Sequence, residues 1–149
     1  MLGREPRARV LVLRAPHDTT RFDAPLRAYR CSRGGVLIFG VNGGNGVVVW
    51  LRSPDSIAPG PWPLLQRGDT VSARGAVVAV RFMAGEVAHG AALDSGVVRV
   101  SRVGGTGGAV AVLAHGGGLE AVLAQRLAFE ATFDAVAVGA DTTSCQSRL

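Results

Sequence analysis

The chain contains no lysine; all 16 of its basic residues are arginine. A GC-rich genome produces this bias through codon usage, so the high isoelectric point is in part a mutational signature. The absence still removes chemistry. A Walker-type phosphate loop needs a lysine to reach the terminal phosphates, and a Schiff-base enzyme needs one as its nucleophile. Aromatic residues are also scarce, with five Phe, two Trp and one Tyr. Single-strand nucleic-acid binders and carbohydrate binders both work through rows of stacking rings, which this composition cannot supply. There are two cysteines, Cys31 and Cys145, and no CxxC. Two thiols alone do not make a structural zinc site. They can pair in an oxidising compartment and pin the C-terminus to the domain, or stand as two unrelated thiols. Charged residues make up only 18% of the chain while 48% is apolar, which excludes disorder. No apolar run reaches the length of a membrane-crossing helix, and Val10-Leu11-Val12-Leu13, ended by Arg14, is too short for a secretory core.

The motifs that do occur are weak. His115-Gly116-Gly117-Gly118 matches the string that supplies oxyanion-hole amides in some esterases, but no Gly-x-Ser-x-Gly accompanies it, and it reads as a loop. Arg67-Gly68-Asp69 reads as a turn leading toward Val71. Gly43–Gly46 and Gly104–Gly108 open no helix and therefore offer no phosphate cradle. His17, His89 and His115 have Asp18, Asp94 and Glu120 within five positions, yet no spacing repeats on one face of one element. His89 with Asp94 is the least weak acid–base couple and carries a third-ranked hydrolase reading. No metal, cofactor or catalytic set is assigned.

What is present is the texture of strands. Short Val-, Ala- and Leu-rich runs alternate with Gly, Pro, Asn and Asp, and the 21 glycines are about twice the usual share. Ala8–Arg14 and Leu26–Cys31 read as strands. Val36–Val41 and Val47–Leu51 flank Asn42-Gly43-Gly44-Asn45-Gly46, the strongest hairpin signal in the chain. Residues 53–70 carry four prolines and Trp62, so they read as a connector crossing the surface with Trp62 as an anchor. Ala76–Phe82, Val97–Val103 after an Asp94-Ser95-Gly96 turn, and Ala109–Ala114 follow as strands. The last is the clearest: Leu127, Phe129, Ala131, Phe133 and Ala135 share one face. Leu119–Arg126 reads as a short helix or an extended strand. The expected architecture is a single all-β domain, an antiparallel two-sheet sandwich of about eight strands over residues 8–139. A flexible arm (1–7) and a polar tail (140–149) flank it, with at most one short helix near 119–126.

Charge is concentrated at the start. Residues 1–33 hold eight arginines against three acids, which accounts for the whole net charge of +5. A polyanion patch on Arg4, Arg7, Arg9 and Arg14 is one reading, and a solvated Arg-rich edge is the other.

Asp18-Thr19-Thr20-x-Phe22-x-Ala24-Pro25 leading to Cys31, Val78–Phe82 followed by Ala88-His89-Gly90-x-x-Leu93-Asp94-Ser95-Gly96, and Phe129-x-Ala131-Thr132-Phe133-Asp134 stand out together. The ensemble resembles uncharacterised exported β-sandwich proteins, often lipoproteins, of GC-rich bacteria. The resemblance implies a sandwich and an envelope location, and it brings no activity. Those proteins begin with a leader; the N-terminus here, taken literally, points instead to the cytoplasm. The leading expectation is a non-enzymatic envelope or extracellular binding module for a protein or small-molecule ligand. Its site would be formed by the 53–70 and 84–96 loops, lined by Trp62, Arg67 and His89. The alternative is a polyanion binder acting through the N-terminal arginines.

Overall fold

The computed structural model describes residues 5–14, 18–103, 108–139 and 142–145. Its strands are β1 (Arg7–Arg14), β2 (Asp18–Cys31), β3 (Val36–Asn42), β4 (Asn45–Arg52), β5 (Gly60–Trp62), β6 (Gly75–Ala84), β7 (Val87–Val103), β8 (Ala109–Leu119), β9 (Arg126–Val136) and β10 (Thr142–Thr143). Among the described residues there is no α-helix, hence none long and apolar enough to cross a membrane. The chain is all-β.

The expected sandwich is corrected to a closed barrel. Setting aside β5 and β10, each strand pairs antiparallel with its predecessor, and β9 returns to pair with β1, Val10 facing Ala131. The eight strands therefore close in an up-and-down order with no free edge. The alternation within each strand puts one face inside. Ala8, Val10 and Val12 of β1 point inward with Leu127, Phe129, Ala131 and Phe133 of β9, while Arg9, Glu130 and Thr132 point out. An eight-strand barrel is just wide enough to be filled by side chains, and one continuous cluster of Val, Leu, Ala and Phe fills this one.

Two long strands make closure possible. β2 pairs with β1 through Pro25 and then with β3 from Leu26 onward. Pro25 stands at this handover. β7 pairs with β6 as far as Ala92 and with β8 from Leu93, with a register shift between Leu93 and Ser95. The Asp94-Ser95-Gly96 segment, expected to be a turn, is this bulge, so the expected 84–96 loop is a two-residue hairpin turn followed by strand. Gly116–Gly118, expected to be a loop, lies in β8 against the bulge. Gly96 has φ +130°, and a Cβ there would sit 2.1 Å from the His115 carbonyl; one on Gly116 would sit 2.0 Å from the Ser95 carbonyl. Only glycine lets these two backbones approach so closely.

β6 and β7 pair only along one half of their length. The Pro-rich connector closes the other half: β5 pairs with Val98–Val100, and Leu65 and Pro63 exchange backbone hydrogen bonds with Ala76. Trp62 enters the core at this seam, buried, its indole N–H donating to the Ala58 carbonyl at 2.8 Å. The Arg74 guanidinium stacks on its ring at 4.3 Å.

The segment 119–126, open from sequence to a short helix or an extended strand, forms no helix. The Glu120 carboxylate accepts the Val122 and Leu123 amides, as a helix-capping side chain does, and the Ala124 N–H donates to the Glu120 carbonyl. Ala124, however, turns to φ +54°, so the chain leaves after one turn and Arg126 opens β9. Strand pairing of the flanks overrides the helix propensity of the segment.

Candidate functional site

The outer face of β9 carries Glu130, Thr132 and Asp134, but the outer faces of β3 and β4 are apolar. Val36-Leu37-Ile38-Phe39 and Val47-Val48-Val49-Trp50 are unbroken apolar runs, so Leu37, Phe39, Val48 and Trp50 face outward. Cys31 and Cys145 cover one end of this outer face. Their sulfurs are bonded at 1.96 Å, with Cα atoms 5.4 Å apart, and they pack with Leu37, Phe39, Val48 and Trp50 in a second apolar cluster. Tyr29 stacks on Phe39 at 5.6 Å. The remainder of the face is open. It forms a trough of about 680 Å³ whose floor is the outer surface of β6 and the first part of β7. Ala79, Ala88 and Gly90 make the floor low, Phe39 and Val48 form one wall, and among the described residues Arg67 and Arg81 are the only Arg, Asp or Glu side chains at its border.

Behind the floor lies a buried polar pair. His89 points inward, 6% exposed, and its Nδ1 is 2.9 Å from Oε1 of Glu120, which is 2% exposed. Burial disfavours the Glu120 carboxylate, but the Leu123 and Val122 amides and His89 outweigh it and hold its carboxyl below the ordinary value. The His89 ring stacks on Phe82 at 5.4 Å, and the Arg14 guanidinium stacks on Phe82 at 5.4 Å as well. The pair thus orders one end of the barrel and fixes the one-turn loop between β8 and β9.

The residues singled out from sequence are distributed as follows. Arg67 and His89 both border the trough, although the imidazole itself is turned to Glu120. Trp62 does not border it and lies in the core. The His89–Asp94 couple is corrected: Asp94 holds Arg126 through two hydrogen bonds of 2.6 and 2.8 Å, and His89 holds Glu120. Arg7 pairs with Asp23 and Glu5, Arg9 with Asp134, and Arg14 with Asp18. Arg14 lies at the opposite end of β1 from Arg7. Arg4 and His17 lie outside the described residues. His115 is exposed on β8 opposite Glu130. Among the described residues no group of three His, Cys, Asp or Glu side chains is placed to hold a metal ion.

The trough was not anticipated from sequence, although its signal is there. Strand β9 alternates, whereas the runs at Val36 and Val47 do not, which marks a wall apolar on both faces.

No family model, curated protein or solved structure matches this chain. The trough, the disulfide-capped cluster and the buried pair are therefore read on their own chemistry.

Proposed function

We propose that the chain is a non-enzymatic binding module that seats a small, largely apolar ligand in the trough on β3, β4, β6 and β7. One observation carries the reading: the barrel interior is filled, while an apolar cavity of about 680 Å³ stands open on its outer wall. Ligand sites are typically concave, mostly apolar and several hundred cubic ångströms in size, with a few charged groups at the edge. The site is a sheet face of the barrel, bordered by Arg67 of the connector, in place of a loop cluster at one end. The engagement of His89 with Glu120 speaks against an acid–base role, because the ring is committed to a structural hydrogen bond inside the barrel. A Cys31–Cys145 bond persists in an oxidising compartment, which agrees with an exported or envelope location. The polyanion reading is weaker, because Arg7, Arg9 and Arg14 each have an acidic partner.

A titration with Nile red, a neutral apolar dye, tests the reading. The protein is expected to enhance the dye's fluorescence saturably with one dye per chain. Ala79→Phe, which fills the floor, should abolish the enhancement while leaving the urea midpoint unchanged. Absence of saturable binding to the unmodified chain would overturn the proposal.

A further inference from the structure

We infer that the ligand is a single-chain amphiphile with an anionic head, its apolar chain lying along the trough and its head on Arg81; this rests on the binding-module reading. Among the described residues the trough is lined by Arg67 and Arg81 and by no Asp or Glu. Arg81 is exposed on the outer face of β6 and, among the described residues, has no acidic partner, in contrast to Arg7, Arg9, Arg14, Arg52 and Arg126. Its two cross-strand neighbours are Gly46 on β4 and Gly90 on β7. Neither glycine has a positive φ. A Cβ on Gly46 would come no closer than 3.4 Å to any atom, and one on Gly90 no closer than 3.6 Å, so the fold itself asks for glycine at neither position. Their effect is to leave the guanidinium open on both sides, with bare backbone around it. From there the apolar floor runs back along β6 through Ala79 to the buried Val77. An anion on Arg81 gains a charge-assisted hydrogen bond of the bidentate kind that arginine favours, while the chain behind it is removed from water. A cationic head would meet Arg81 and, among the described residues, no acid lining the trough.

Isothermal titration with decanoate, decan-1-ol and decyltrimethylammonium, each kept below micelle formation, tests this. Decanoate is expected to bind about tenfold more tightly than the alcohol, as a charge-assisted hydrogen bond requires, and the cation most weakly. Arg81→Gln should reduce decanoate to the affinity of the alcohol without changing the alcohol's own. Gly90→Val, which narrows the trough beside Arg81, should weaken all three while the protein stays folded. Equal binding of decanoate and decanol, or an anion preference that survives Arg81→Gln, would overturn the anionic-head inference and leave the trough as a binding site. Failure of all three probes to bind would overturn the binding-module reading and the inference together.

Discussion

His89 and Glu120 meet inside the barrel wall, Nδ1 to Oε1 at 2.9 Å, from positions 31 residues apart. Glu120 uses its other contacts on the Val122 and Leu123 amides, so one carboxylate satisfies a buried ring and the loop that closes β8 onto β9. Removing it leaves the buried His89 ring and the Val122 and Leu123 amides without this partner. Glu120→Ala is expected to destabilise the fold by about 1–3 kcal/mol, the cost of leaving a buried polar group without its hydrogen-bond partner. Glu120→Gln, which keeps an acceptor, should cost clearly less. Urea unfolding of the two variants measures the difference; equal midpoints would show that the pair does not hold this end together.

The same carboxylate makes stability depend on acid. Its folded pKa lies below the ordinary 4.5, so the stabilisation is complete above that value and is lost as pH falls through the folded pKa. Asp69, held by the Ser72 hydroxyl and the Ser72 and Val71 amides, and Asp94, held by Arg126, shift in the same direction. Urea midpoints should therefore be flat from about pH 7 to 5 and fall below about pH 4.5. Glu120→Gln should flatten the acid limb. An unchanged acid limb in that variant would assign the dependence to the exposed aspartates instead.

The Cys31–Cys145 bond closes a loop of 114 residues. Constraint of the unfolded chain by a loop of that size is worth roughly 4–5 kcal/mol. The paired change Cys31→Ser with Cys145→Ser is expected to lower the urea midpoint accordingly. It should also expose the cluster of Leu37 and Trp50 and shift tryptophan emission to the red. A reduced protein as stable as the oxidised one would contradict this.

Gly96 and Gly116 tolerate no side chain. Gly116→Ala forces a Cβ into the Ser95 carbonyl of the facing strand, and the variant is expected not to accumulate as folded protein. Gly43→Ala is the control. It has φ +63° and nothing within 4 Å, so its cost is limited to about 1–2 kcal/mol of backbone strain. Proteolysis of the two variants separates the cases.

How much of this was legible depends on the range of the interaction that decides it. The β3–β4 hairpin was, because Asn42–Gly46 carries its own turn chemistry, and so was β9, because Phe129, Ala131 and Phe133 alternate with polar residues. Closure was not, because β1 pairs with β9 across more than a hundred residues and inward–outward alternation is the same in a sandwich and a barrel. Pro25 and Asp94-Ser95-Gly96 look like strand ends, yet they mark the points where β2 and β7 change partners and continue. The pairing of His89 with Glu120 was hidden for the same reason, since nearness in sequence favoured Asp94. Trp62 was legible as an anchor, but nothing local distinguishes an anchor at a barrel seam from a wall of a ligand site.

The central claim is that ligand is held on the outer wall of the barrel, and amide chemical-shift mapping by NMR during titration with decanoate tests it most directly. The account predicts shifts concentrated at Val48, Ala79, Arg81 and Gly90, with the barrel interior around Val12 and Phe133 unmoved. Shifts centred on Trp62 at the barrel seam or on the N-terminal arginines, or none at saturating probe, would contradict it.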